Sequence, residues 1–193
     1  MGPGLLLTQS RVALTRAAAR VMAGADAAPM ATGQHYYRAL DPAPGSALVQ
    51  YFAGGVPALA AATPGLARYC CRELSDSGAA GEIAPVLVVV AFDVPPDLAT
   101  MVDRWYAEEH IPLLCRAPGW LRARRYQMLN YSGGPRYTSV ALHELRSVSV
   151  LDSVERQYAR STAWRAALAP EPWFAAAGRF IYHRIMLENI DEQ

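Results

Sequence analysis

The stretch "DRWYAEEHIPLL", Asp103 to Leu114, groups Trp105, Tyr106, Glu108, Glu109 and His110 and closes them with Pro112. An imidazole titrates near neutrality and can give or take a proton. A neighbouring carboxylate can stabilise its charged form, and the two aromatic rings can line a site for an aromatic ligand. At roughly 100° per residue, Leu98, Met101, Val102 and Trp105 form one helical stripe. Glu109 falls near the middle of that stripe, Glu108 off its edge, and His110 to the side, one turn after Tyr106. Pro112 disfavours helix at Ile111, so the helix is expected to stop or kink there. Two expectations follow. Glu109 points inward, where burial would raise its pKa. His110 sits at a helix C-terminus, where the dipole favours the protonated ring. The bland alternative is a helix end whose carboxylates reach water and whose histidine caps a backbone carbonyl.

Other candidates lie on strands. In "YTSVALHEL", Tyr137 to Leu145, alternation puts Val140 and Leu142 on one face and Ser139, Ala141 and His143 on the other. The apolar pair is expected to face the helices and His143 the opposite side, where a ligand could lie. Tyr37 and Tyr126 occupy matched places in two similar segments, "QHYYRAL" and "ARRYQML". A phenol there could orient a ligand carbonyl or stabilise an enolate; packing with a satisfied hydroxyl is the alternative. Arg124 could bind a carboxylate or enolate if it faces inward. The turn "APGW" is expected to deliver the Trp120 indole onto the sheet.

The elements that must carry these residues repeat. "GLLLTQSRVAL" and "VLVVVAFDV" read as strands, each followed by helix, then by the arginine- and tyrosine-rich segments, then by "ALVQYFAGG" and "YTSVALHEL". Each half continues with a helical stretch and closes on "LARYCCREL" or "AGRFIYHRIML". The order is β-α-β-β-α-β, twice, the ferredoxin-like unit. The expected organisation is a shortened first repeat over residues 1–75, a small-residue linker over 76–85, and a second repeat over 86–193. Each unit's sheet has one face covered by helices and one bare. Two bare faces packed together give an intramolecular α+β barrel with a ligand site between the sheets.

Bulk properties narrow the classes. The chain has 193 residues, 52% of them hydrophobic and 18% charged, which suits a globular core. A net charge of +1 argues against a nucleic-acid partner. Three cysteines, two of them adjacent, suit a reduced cytoplasmic chain rather than a disulfide framework or a zinc site. No segment reads as a signal peptide or membrane span. There is no GxGxxG after a strand, phosphate loop, GxSxG or HExxH. Glu109 and His110, adjacent on a helix, are poor joint metal ligands, so no metal is assigned.

"DRWYAEEHIPLLCRAPGWLRARRYQM" resembles the W-Y-x-E-E-H-I-P…PGW-x-R-x-RRY segment of the EthD-like group of dimeric α+β barrel proteins. "VALHEL" resembles the strand that follows in that group, "STAWRAAL" its second helix, and "GPGLLLTQSRV" the start of its two-repeat, single-chain branch. The first half lacks counterparts of Trp105, Glu109, His110 and Pro112. The resemblance implies a barrel without a tightly bound cofactor. It further implies an enzyme of secondary metabolism acting on a hydrophobic, oxygenated small molecule of polyketide or aromatic type. The expected chemistry is acid/base: decarboxylation, dehydration or cyclisation. Cofactor-free monooxygenation is the alternative, and a non-catalytic binding or scaffold protein the third reading. His110 is the expected acid/base, Glu109 its electrostatic partner and His143 a further catalytic or ligand-orienting group. Tyr126, Tyr37, Tyr106, Trp105, Trp120 and Arg124 are the expected substrate contacts. The internal duplication allows a monomer as readily as a homodimer.

Overall fold

The computed structural model describes residues 2–23, 31–59, 62–78, 81–186 and 188. The β-branched and leucine-rich runs become strands: β1 (Gly4–Ser10), β2 (Gly33–Asp41), β3 (Ser46–Phe52) and β4 (Leu66–Gly78) in the first half. In the second half they are β5 (Val86–Phe92), β6 (Trp120–Ser132), β7 (Ser139–Leu145) and β8 (Gly178–Ile185). Hydrogen bonding orders them β1-β3-β2-β8-β5-β7-β6-β4 in a closed barrel. Each half contributes the 4-1-3-2 order of a ferredoxin-like unit, β4-β1-β3-β2 and β8-β5-β7-β6. The fold is therefore the expected α+β barrel. β4 runs on through Gly78, so the small-residue stretch read as a linker begins inside the sheet.

The chain forms two compact units. The first comprises residues 1–74, 126–136 and 180–193. Here β1 pairs antiparallel with β3 and with β4, so Leu6 lies between Gln50 and Cys70 and Thr8 between Leu48 and Arg68. The helix α1 (Arg16–Ala23) buries Ala19 and Met22 against Tyr36, Leu48 and Leu66. The helix expected between β3 and β4 is not formed among the described residues of that stretch. Gly54 and Gly55, with Pro57 and Pro64, deny it a continuous run of helix formers.

The second unit comprises residues 75–125 and 137–179. β5 and β7 pair antiparallel, with His143 opposite Val88 and Ala141 opposite Val90. Over this sheet lie α2 (Ala99–Trp105), α3 (Ile111–Leu114), α4 (Val154–Ser161), α5 (Ala163–Leu168) and α6 (Pro172–Ala175). The stripe read from sequence packs as expected. Val102 and Trp105 are buried in a cluster with Phe92, Ile111, Leu168, Trp173 and Phe174, and Leu98 and Met101 pack against it.

The helix does not stop before Pro112. Tyr106–His110 form a π-helical turn between α2 and α3. The Ile111 N–H donates to the Tyr106 carbonyl, an i→i−5 bond. Proline lacks an N–H, and in a regular α-helix its ring collides with the carbonyl four residues back. The wider turn relieves that collision at the Glu108 carbonyl, so the chain continues as helix where sequence arithmetic ends it. No helix among the described residues is long and apolar enough to cross a membrane.

The turn after β6 has one strict backbone requirement. Gly133 has φ +73, and a Cβ there would lie 2.0 Å from the Leu66 carbonyl oxygen. Gly133→Ala is expected to lower stability by more than about 2 kcal/mol in thermal or urea denaturation. Gly54→Ala, where a Cβ meets nothing within 4 Å, is the control and should change little. Equal small effects at both positions would refute the close approach.

Candidate functional site

The π turn decides what faces the sheet of the second unit. In an α-helix, residues five apart lie roughly 140° apart around the axis. The wider i→i+5 turn brings them closer to one face. His110 accordingly stacks on Trp105, with ring centroids 4.3 Å apart and planes 22° apart. Tyr106 meets the same imidazole edge-on at 5.6 Å. The Trp105 indole also contacts Phe174, which stacks on Phe92.

The sheet supplies the other imidazole. Period-2 alternation holds on β7, but the face expected to meet the helices is reversed. Ala141 belongs to the cluster of Trp105 and Tyr106, and Ser139 accepts a hydrogen bond from an arginine lying over Tyr106. His143 therefore lies under the helices, not on the opposite side as expected from sequence. The physical reason is size: small Ser139 and Ala141 leave room for the indole, phenol and guanidinium that α2 and β6 press onto the sheet. His143 is 3% exposed and meets Trp120 edge-on at 5.2 Å. Gly119, with φ +92, makes the turn that delivers Trp120, as the "APGW" phrase suggests.

The arginine over Tyr106 is Arg125, a residue that sequence reasoning missed. It is 3% exposed and its guanidinium carbon lies 4.1 Å from the Tyr106 ring centroid. Its Nη1 donates to Asp103 Oδ1 at 2.8 Å and its Nη2 to Ser139 Oγ at 2.6 Å. The signal was available. Arg125 shares its face of β6 with Ala123, so the alternation in "RARRY" separates it from Arg124. Arg124, the arginine singled out from sequence, pairs with Glu144.

Glu109 does not partner His110. Its Oε1 accepts a 2.7 Å hydrogen bond from Thr162 Oγ1, and Thr162 caps the N-terminus of α5 by accepting from the Arg165 N–H. The expectation of an inward, unpaired Glu109 is corrected: the π turn moves it to the side and gives its place to His110. Glu108 forms an exposed i,i+4 pair with Arg104. Tyr126 and Tyr37 belong to the first unit. Tyr126 is fully buried and donates to Glu73 Oε2 at 3.4 Å, and Tyr37 packs 6.4 Å from the Tyr182 ring.

Electrostatics reverse a second expectation. His110 is not at a helix end, and burial pulls its pKa down to about 4, with the charge of Arg165 adding to the effect. Only a hydrogen bond to the Ala159 backbone carbonyl favours the charged form. A carbonyl only accepts, so that ring nitrogen carries the proton. His110 Nδ1 is sealed from solvent with no hydrogen-bond partner, which leaves it a bare lone pair. His143 is pulled to about 3, first by burial and then by the charge of His110. Its Nδ1 is likewise unpartnered. Burial raises the Tyr106 phenol to about 12, so it stays protonated. Two neutral imidazoles, each with an unsatisfied nitrogen, thus sit in a wall of indole and phenyl rings. An unsatisfied neutral imidazole nitrogen accepts a proton from an acid brought into contact with it. Among the described residues no group of three or more His, Cys, Asp or Glu could hold a metal ion.

The buried rings make stability depend on pH with a definite sign. Both protonate near 6.5 in the unfolded chain but only near 4 and 3 in the fold. Between those values the unfolded state binds more protons, so stability is full above pH 6.5 and falls as pH drops toward 4. His110 alone should contribute a loss of roughly 3 kcal/mol across that window. Urea midpoints measured from pH 7 to 4 should show this slope, and a His110→Phe/His143→Phe double variant should lose most of it. An unchanged slope in the variant would refute the assignment.

No protein-family model matches the chain, and neither does any curated protein. Solved structures do. An anthrone oxidase-like protein superposes with a TM-score of 0.64 at 11% identity, over 96% of this chain and 92% of that one. A ferredoxin-fold protein from Listeria monocytogenes related to antibiotic biosynthesis monooxygenases gives 0.59 at 12% identity, over 96% of each chain. A heme-degrading enzyme from the same organism gives 0.56 at 13% identity, over 93% of this chain and 98% of that one. At such identities the likeness is one of architecture, and the chain has the ferredoxin-like α+β barrel fold of these proteins.

Proposed function

We propose that the chain is an EthD-like, two-repeat member of the dimeric α+β barrel proteins. In this reading it is a cofactor-independent enzyme that oxygenates an aromatic, polyketide-type small molecule. The observation that carries the reading is the pair of neutral imidazoles, His110 half-buried and His143 buried, among aromatic rings in the second unit. The names of the fold neighbours, anthrone oxidase-like and monooxygenase-related, favour oxygenation over the oxygen-free lyase or cyclase chemistry expected from sequence.

His110 is the base. Once the ligand displaces the packing that seals Nδ1, its lone pair takes a proton from an activated C–H beside an aryl carbonyl, leaving the electron pair as an enolate. A neutral imidazole is in the right state for this at any pH above about 4. The enolate reduces dioxygen, and the net change is CH2 plus O2 to C=O plus H2O. Arg125, fixed by Asp103 and Ser139, holds Tyr106 in place and sets positive charge beside the developing anion. His143 acts in the same site as a ligand-orienting group. Haem, which one fold neighbour degrades, does not suit these imidazoles. His110 lies flat under an indole and is bonded to a backbone carbonyl, and His143 is 3% exposed. Packed in this way, neither imidazole would be free to hold an iron.

The test is oxygen uptake with an anthrone as substrate. His110→Gln keeps most of the volume and removes the base, and kcat should fall about 100-fold or more while the fold, read by circular dichroism, is kept. Turnover by His110→Gln at the wild-type rate would sink the assignment of the base. Turnover without oxygen consumption would replace oxygenation by proton-transfer chemistry at the same site.

A further inference from the structure

Half of the arginines in the second unit pair with a carboxylate. Arg104 pairs with Glu108, Arg122 with Asp76, Arg124 with Glu144, Arg125 with Asp103 and Arg146 with Glu82. Arg116, Arg156, Arg160, Arg165 and Arg179 form no ion pair with a carboxylate among the described residues, and the last four gather around Phe174 and His110.

Three of the four guanidinium groups end on backbone carbonyls instead. Arg156 donates to the Leu151 carbonyl, Arg165 to that of Arg160 at 3.1 Å, and Arg179 to that of Phe174 at 3.1 Å. Arg165 and Arg179 both flank the Phe174 ring, at 5.5 and 5.9 Å from its centroid. Phe174 in turn contacts Trp105, on which His110 is stacked. The four charges are close enough to act on one another. Arg156 is disfavoured by Arg160 and Arg165, and Arg165 by Arg160 and Arg179. Asp152 favours the charge on Arg156, and Glu109 on the π turn is held by Thr162.

Like charges gathered at a partly exposed surface raise the local positive potential and attract an anion. Guanidinium forks whose remaining donors are free match an oxyanion bidentately and also stack on aromatic faces. We infer that Arg156, Arg160, Arg165 and Arg179 form an anion-docking collar on the His110 site, whose substrate is an aromatic oxyanion. This deepens the functional reading above and rests on it: the ring enters the Trp105–Phe174 wall while a carboxylate or phosphate on it meets the collar.

Binding tests the collar independently of turnover. The probes are 2-naphthoate, 2-naphthyl phosphate and neutral 2-naphthol, titrated into the full chain at pH 7 by calorimetry. At least one of the two anions should bind about tenfold or more tightly than naphthol. That advantage should shrink with added salt. The anion that wins identifies carboxylate or phosphate as the matching group. An Arg165→Gln/Arg179→Gln variant should lose the advantage and keep naphthol binding, whereas Arg146→Gln, on a paired arginine, should keep both. If wild-type protein binds naphthol as tightly as both anions, the collar is overturned while the enzyme reading stands. If none of the three binds, the aromatic site itself is refuted, and the collar with it.

Discussion

The second unit is organised by one hydrogen bond, from the Ile111 N–H to the Tyr106 carbonyl. It exists because Pro112 cannot sit in an ordinary α-helical turn without striking the carbonyl behind it. Widening that turn rotates every residue after Tyr106. Glu109 moves off the packing face and becomes a support for the cap of α5. His110 moves onto that face and stacks on Trp105. The chemistry available to the unit changes accordingly, from an inward carboxylate to an inward imidazole.

Burial then does the electrostatic work. An imidazole against an indole, with one nitrogen held by a backbone carbonyl and nearby arginines repelling further positive charge, stays neutral. His143 reaches the same state from the sheet side, under Trp120. The arginines that keep His110 neutral are also without carboxylate partners. The neutrality of His110 and the affinity for an anion therefore draw on one arrangement of charge.

Much of the scaffold was legible in the sequence, because strands announce themselves through β-branched and leucine-rich runs. "VLVVVAF" and "SVALHEL" lie within the segments read for them, and the stripe through Val102 and Trp105 packs as the 3.6 period requires. What could not be read was set by tertiary packing. Alternation shows that Ser139, Ala141 and His143 share a face but not which face the helices cover. A wheel drawn at 100° per residue fails at Glu109 and His110 because the proline forces a different turn. Arg124 and Arg125 look equivalent in sequence, yet one pairs with Glu144 and the other lies over Tyr106. The first repeat lacks a described helix after β3 because glycine and proline interrupt it, a signal that was in the sequence and was underweighted.

The central claim is that the π turn packs His110 against Trp105 as a neutral base. Titration of the histidine ring nitrogens by nitrogen-15 NMR tests it most directly. The account predicts a His110 midpoint near 4, with the proton on the nitrogen opposite Nδ1 throughout neutral pH. A His110 midpoint near 6.5, the value of a solvated imidazole, would contradict it.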